Sequence, residues 1–125
     1  MIRENIIQWQ GRELREWLEA GGWKTPQTYC KAFDAPGNFP AVYMFILWQG
    51  DTFSKCAVAY VGMSKRLLSR WRGHNILPDL EASPYWTQKW FKRIPEDRLR
   101  EVEANYIKQF NPLWNINGCK RGVSF

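Results

Sequence analysis

The run of eight residues from Ala41 to Trp48 limits the fold of this chain more than any other segment. Only the hydroxyl of Tyr43 interrupts its apolar and aromatic side chains. A run of this length and composition is typical of a β-strand that is buried on both faces. Such a strand needs strands at its sides and other elements over both faces, so the sequence predicts an α/β fold.

Two further segments are predicted to join this strand in a sheet. Cys56 to Val61 is rich in β-forming residues and ends at Gly62. The polar link Gln49 to Lys55, with Gly50-Asp51 as its corner, predicts an antiparallel hairpin. Tyr85 to Ile94 alternates weakly, and we predict that it is the third strand. The expected core is a small three-stranded, largely antiparallel sheet flanked by helices.

We expect a single domain, in which residues 1–40 form an N-terminal helical extension of a core at residues 41–125. Leu14, Trp17 and Leu18 recur at helical spacing, which predicts an amphipathic helix over residues 11–20. The segment 34–40 holds two prolines and a glycine, and we predict a loop that separates the extension from the core.

The core is predicted to contain two helices. Lys65 to Gly73 follows the second strand and turns its apolar residues inward. The other helix begins at Pro95, which has a fixed φ and is followed by two acidic residues. It runs to about Phe110, where Asn111-Pro112 stops it. The segment 76–84 between them is predicted as a loop.

Charge favours a polyanionic partner, because the chain carries 18 Lys and Arg against 12 Asp and Glu. Each Lys or Arg that contacts a phosphate releases a condensed counterion, so nucleic acid is the first candidate. Solubility alone is the other explanation for the net charge of +6.

Cysteine usage and the first residues point to the cell interior. Cys30, Cys56 and Cys119 are odd in number and fit neither a disulfide framework nor a zinc site, so we expect reduced thiols. Residues 1–20 mix charges with apolar residues and lack the centre of a secretory signal. The longest apolar run is far below the roughly 20 residues that span a bilayer. We expect an intracellular, cytoplasmic protein without a membrane partner.

One acidic residue interrupts the apolar stripe of the last predicted helix. Glu103 lies at an inward position of that stripe, whose other members are Leu99, Val102, Tyr106, Ile107 and Phe110. A carboxylate at such a position loses hydration worth several kcal/mol unless a cation or hydrogen-bond donors replace it. Two explanations remain open, which are a functional site and an ion pair with an internal arginine.

Short motifs at fixed offsets accompany this glutamate. They are Val42-Tyr43-Met44, then Tyr60-Val61-Gly62 with Arg70 and His74 downstream, then Glu103 and the run Phe110 to Asn115. Together they resemble the GIY-YIG nuclease family over about residues 41–116. The sequence departs from the family in Ala41-Val42, in the valine of the second triplet, and in Met63, where many relatives have a polar or lysine residue.

The resemblance implies an α/β fold with a small sheet flanked by helices, a divalent cation as cofactor, and hydrolysis of a phosphodiester bond. Glu103 would bind a divalent cation, Mg²⁺ or Mn²⁺, that contacts the scissile phosphate. Tyr60 would lie near the attacking water as its general base, and Tyr43 would assist by hydrogen bonding. A phenol is a poor base at neutral pH unless cations stabilise the phenolate. Without the resemblance, each tyrosine would be an ordinary packing residue.

The same resemblance implies roles for three more residues. Arg70 would stabilise negative charge in the transition state, although it could also be one more arginine of a basic helix. His74 would hydrogen-bond the water or a phosphate oxygen, or else cap a helix end. Asn115 would brace the site through hydrogen bonds.

A basic groove is expected to bind the nucleic acid. Its predicted residues are Lys65, Arg66, Arg72, Lys89, Lys92 and Arg93. The predicted partner is DNA, duplex or branched, and a homo-oligomer is possible. The predicted function is therefore a metal-dependent DNA endonuclease. The alternatives are a nucleic-acid-binding module with weak or no activity, which Met63 favours, and an interaction protein that uses Trp9, Trp17 and Trp23. These three tryptophans could equally close the core.

Overall fold

A computed structural model describes residues 8–49 and 55–115 of the chain. Within them, four strands form one sheet in the order β1-β3-β2-β4, and every neighbouring pair is antiparallel. The strands are β1 (Gln8–Gln10), β2 (Ala41–Trp48), β3 (Lys55–Ser64) and β4 (Trp86–Arg93). The helices are α1 (Gly11–Ala20), α2 (Leu67–Arg72), α3 (Leu77–Glu81) and α4 (Leu99–Phe110). The predicted α/β class is confirmed, with an antiparallel sheet and helices.

Strand β2 is a central strand and is buried along its whole length, as its sequence predicts. Because side chains alternate along a strand, it supplies both faces of the sheet. The Tyr43 face is covered by α2, α3 and the segment that follows α4. Its buried residues are Ala41, Tyr43, Phe45, Leu47, Ala59, Leu67, Trp71, Ile76, Leu77, Leu80, Phe91 and Trp114.

The opposite face, which we call the α1 face, is covered by α1 and α4. Its buried residues include Leu14, Leu18, Trp23, Val42, Met44, Ile46, Val58, Val61, Trp90, Leu99 and Phe110. Residues of the N-terminal extension and of the core therefore share one apolar cluster.

The register between β2 and β3 shifts by one residue in the middle of the pair. Phe45 lies opposite Tyr60, whereas the next residue, Ile46, lies opposite Val58, so Ala59 has no partner. Such a bulge exchanges the two faces of the strand beyond it. Tyr60 consequently packs with the Tyr43 face although Val58, two residues away, belongs to the α1 face.

The outer edge of β4 is covered by residues 24–27 of the extension. Lys24 exchanges two backbone hydrogen bonds with Phe91, both of 2.8 Å. The buried hydroxyl of Thr25 donates to the carbonyl of Lys89 at 2.7 Å. An edge strand that lacked such partners would expose unpaired peptide groups.

Several sequence predictions were wrong in number or extent. The sheet has four strands and not three, because Gln8–Gln10 pairs with β3; three residues are too few for a recognisable pattern. Gly62 does not end β3, since the pairing with β2 continues to Ser64. Residues 77–81 form helix α3, where a loop was expected, with Pro78 in its first turn and Leu80 buried.

Other boundaries moved by a few residues. The second helix begins at Leu67 and not at Lys65, and α4 begins at Leu99 after a single 3₁₀ turn, Glu96–Arg98. The predicted corner Gly50-Asp51 and Cys119 lie outside the described residues, in which Cys30 and Cys56 are free thiols. No helix in the described ranges combines the length and apolar character needed to cross a membrane.

Candidate active site

The site is built around the side chain of Tyr43, which crosses the sheet over Gly62. These two residues are partners in the β2–β3 pairing. A Cβ atom at position 62 would lie 2.5 Å from the Tyr43 hydroxyl and 2.8 Å from the Tyr60 ring. Only glycine leaves room for both rings at this point, so Gly62 is required by close approach. The glycine of the motif Tyr60-Val61-Gly62 could have indicated this close approach. The sequence prediction interpreted it only as the end of a strand.

Tyr60 lies beside Tyr43 and is partly exposed. The centroids of their rings are 6.2 Å apart, and the Tyr60 ring stacks on Phe45 at 5.8 Å. The ring of His74 approaches Tyr60 edge-on at 5.1 Å. The bulge at Ala59 is what brings Tyr60 to this face, and no periodicity in residues 56–61 indicates it.

His74 is buried, and both of its ring nitrogens are engaged within the protein. Nδ1 accepts the backbone N–H of Ile76 at 3.1 Å, and Nε2 lies 2.9 Å from the Tyr43 hydroxyl. Burial and the nearby charge of Arg70 lower the pKa of His74 from 6.5 to about 4. At neutral pH the ring is therefore uncharged, carries its proton on Nε2, and donates it to the Tyr43 oxygen.

This arrangement differs from the role expected for His74. With only 3% of its surface exposed and neither nitrogen free, the ring does not face a phosphate. It orients Tyr43 instead. Because the Tyr43 oxygen accepts the proton of His74, its own O–H is left to donate to another group.

Two charged side chains act on the Tyr43 hydroxyl from different elements. Burial raises the pKa of Tyr43, the Tyr60 hydroxyl adds to the rise, Arg70 on α2 opposes it, and Glu103 on α4 raises it further. A residue whose pKa responds to both charges lies near both side chains. Thus Tyr43, Tyr60, Arg70, His74 and Glu103, which the sequence predicts as site residues, are brought together from two strands, two helices and the turn after α2.

Glu103 is half-buried on the side of α4 that packs against the sheet. Burial raises the pKa of its carboxyl group, and the charge of Arg100, one turn earlier, partly opposes this rise. Among the described residues, no cation lies within ion-pair distance of Glu103, whose helix neighbour Glu101 pairs with Arg98 at 3.7 Å. The alternative of an ion pair with an internal arginine therefore finds no partner in the described chain.

Arg70 is exposed on α2, and the segment that precedes β2 fixes this helix. The backbone N–H groups of Leu67 and Leu68 donate to the carbonyls of Phe39 and Gly37, each at 3.2 Å. The N–H of Ser69 donates to the Asn38 side chain at 2.9 Å. These bonds satisfy amides that a helix start leaves unpaired. The predicted separator loop is thus part of the support for Arg70.

Asn115 braces the strand that carries Tyr60. Its side-chain oxygen accepts the Val61 N–H at 2.8 Å, and its amide donates to the Val61 carbonyl at 2.7 Å. In this way one side chain replaces a strand partner on the β1 side of β3, beyond the three residues that β1 pairs with. The predicted bracing role fits this geometry.

The six predicted groove residues do not share one surface. Lys89 lies 5.9 Å from the Trp71 ring and Arg93 lies 4.2 Å from the Phe39 ring, both on the Tyr43 face. Lys92 alternates to the α1 face, since it lies opposite Val42. Lys65 forms an ion pair with Glu96 at 3.1 Å. Arg66 and Arg72 are exposed at the two ends of α2, near Arg70.

A metal site in the described chain would rest on few protein ligands. Residues 8–49 and 55–115 contain no group of three or more His, Cys, Asp or Glu arranged to hold a metal ion. Mg²⁺ is commonly bound through one or two carboxylates, with water and phosphate oxygens completing its shell. The half-buried carboxylate of Glu103, which has no ion-pair partner among the described residues, could be that carboxylate ligand.

Comparison with family models and with solved structures finds no match. A curated protein of similar sequence is the mitochondrial enoyl-(acyl-carrier-protein) reductase of Yarrowia lipolytica, which is 24% identical over 103 residues. The matched part is 82% of this chain and 23% of that protein, so the chain spans less than a quarter of this relative. This identity shows no shared family.

Replacement of Gly62 tests the close approach of Tyr43. We expect Gly62→Ala to lower the free energy of unfolding by about 1–3 kcal/mol, because a packed ring must move. Gly73→Ala is the matched control, since its Cβ would meet its nearest neighbour at 3.9 Å, an ordinary contact. Urea denaturation measures both variants. Equal stability of the two would contradict the proposed crowding at Gly62.

The buried neutral state of His74 predicts a loss of stability in acid. The unfolded chain binds the proton near pH 6.5 and the folded chain only near pH 4, so stability is full above pH 6.5 and falls between these values. The loss should reach roughly 3 kcal/mol. Replacement of this residue, the only histidine of the sequence, by glutamine should remove that component. Parallel curves of melting temperature against pH for the two proteins would contradict the assignment.

Proposed function

We propose that the chain is a metal-dependent DNA endonuclease that hydrolyses phosphodiester bonds within the cell. The observation that carries the proposal is the shared environment of the Tyr43 hydroxyl. Tyr60 and His74 contact Tyr43, and the charges of Arg70 and Glu103 both act on it. A core tyrosine kept only for packing needs neither a histidine donor nor charges of both signs.

The chemistry of these side chains supports phosphoryl transfer. Arg70 is exposed and permanently charged, and its planar donors match the oxygens of a phosphate. The Tyr43 hydroxyl is as buried as His74, and its side-chain hydrogen bond with Arg70 connects it to the exposed cation that would meet the phosphate. Tyr60 has a partly exposed ring, and we assign it the water and its proton.

Glu103 would hold the divalent cation, Mg²⁺ or Mn²⁺. When bound, this ion supplies positive charge that polarises the phosphate. With His74 neutral and Tyr43 protonated, Glu103 is the acidic side chain whose charge acts on Tyr43. A cation at Glu103 would offset the cost of burying that carboxylate.

DNA binding is supported by the basic side chains around the Tyr43 face. Arg66, Arg70 and Arg72 lie on or beside α2, and Lys89 and Arg93 extend from β4 along the same face. A phosphate backbone that contacts both groups of cations would meet Arg70 among those of α2. Binding should therefore weaken steeply as salt is raised.

Glu103→Gln separates a catalytic carboxylate from a structural one. We expect plasmid nicking in Mg²⁺ to fall about a hundredfold or more, because the charge that holds the cation is lost. DNA binding should persist, since Arg70 and Lys89 are unchanged. Glu101→Gln, on the same helix but exposed and paired with Arg98, is the control and should nick normally. Nicking by Glu103→Gln at the rate of the control would refute the proposal.

The same variant has an expected effect on stability without metal. Folding raises the pKa of Glu103, so the ionised group destabilises the native state at neutral pH. Glu103→Gln should melt at a higher temperature at pH 7, and this difference should vanish below pH 4.5, the ordinary pKa, where both states are protonated. A variant that melts much lower would instead indicate a structural ion pair.

The two lysines of β4 form a matched pair for the binding surface. Charge reversal at Lys89, on the Tyr43 face, should weaken duplex binding and reduce the salt slope by about 1 or more. The same change at Lys92, on the α1 face, should have little effect. Fluorescence anisotropy at several salt concentrations measures both. Equal losses of affinity in the two variants would contradict DNA binding on the Tyr43 face. Binding of DNA by the unmodified protein without nicking would favour the inactive binding module.

A further inference from the structure

A concavity lies beside the candidate active site, between the end of β3 and the start of α4. Its volume is about 440 Å³, and we call it the Arg100 pocket. Met63 and Leu99 form its apolar wall, and Ser64, Asp97 and Arg100 line it further. Tyr43 and Glu103 are not among its lining residues. The pocket nevertheless adjoins them, because Met63 follows Gly62 and Arg100 precedes Glu103 by one helical turn.

The charged side chains of the pocket fall into two kinds. Lys65 and Glu96 satisfy each other across its rim at 3.1 Å. Asp97 and Arg100 are three residues apart, a spacing at which helical side chains meet, yet they form no ion pair with each other or with another described residue. Both keep their hydrogen-bonding capacity for a ligand.

This combination does not suit a phosphate. The carboxylates of Glu96 and Asp97 would repel an anion, and the apolar wall of Met63 and Leu99 offers it nothing. A flat aromatic ring, in contrast, can lie on the apolar wall while its edge meets donors and acceptors. The pocket volume is within the range of small-molecule sites.

Among the nucleobases, guanine matches both free charges at once. Its O6 and N7 are adjacent acceptors that an arginine binds in a bidentate manner. Its N1–H and N2 amino group are adjacent donors that a single carboxylate can accept. Adenine has no such pair of adjacent donors, and cytosine has one amino group only.

We propose that the Arg100 pocket binds a guanine base of the DNA substrate, with Arg100 on its O6 and N7 and Asp97 on its N1 and N2 hydrogens. The inference rests on the proposed function, because the base would belong to a nucleotide close to the cleaved phosphate. A base enters such a pocket only when it is unpaired or turned out of the helix, and this costs least in branched or damaged DNA.

Titration of the full chain with mononucleotides tests the pocket without any cleavage. In ¹H–¹⁵N NMR spectra without metal, dGMP should shift the amides of Ser64 and Arg100 and bind about tenfold more tightly than dAMP or dCMP. Asp97→Asn should lose this preference, since an amide cannot accept both guanine donors. Asp97 is exposed, so the variant should keep a folded spectrum. Glu101→Gln, outside the pocket, should keep the preference.

Three results would overturn the inference. They are equal affinity for the three nucleotides, equal affinity for inorganic phosphate, and no shift at millimolar dGMP. The plasmid assay is independent of this titration. Nicking without dGMP binding would refute the guanine site and support the nuclease activity. Binding of dGMP without nicking would support the guanine site and refute the nuclease activity.

Discussion

The approach of Tyr43 to Gly62 is the contact on which the site depends. The Tyr43 hydroxyl can reach His74, near the charges of Arg70 and Glu103, only because position 62 has no side chain. The pairing of β2 with β3 sets this contact, since these two residues are partners. A slip of one residue would turn Tyr43 to the α1 face, and the hydroxyl would lose its partner His74.

The bulge at Ala59 solves a related geometric problem. In a regular strand Tyr60 would share a face with Val58 and would be directed away from Tyr43. One extra residue in β3 reverses this, so both tyrosines meet His74 on one face. A bulge weakens the ladder between β3 and β2, and the two bonds from Asn115 to Val61 hold β3 from its other edge, two residues beyond the bulge.

The sequence was informative where one strong signal acted alone. The strand Ala41–Trp48 and the helix Gly11–Ala20 have the predicted bounds, because a continuous apolar run and a clear helical period have few competing structures. The bulge could not be predicted, because it depends on which residues of two strands pair. The engagement of His74 by Ile76 and Tyr43 was missed for the same reason. Residue types predicted which side chains belong together, whereas tertiary contacts decided which of them are buried and which are exposed.

The extension contributes to the site in a way that its sequence does not suggest. Helix α1 packs on the α1 face and cannot contact a ligand on the Tyr43 face. Residues 37–39 nevertheless bind the first amides of α2 and so fix the helix that carries Arg70. Residues 24–27 cover the outer edge of β4, the strand of Lys89. Removal of this extension would therefore destabilise both cationic elements beside the candidate site.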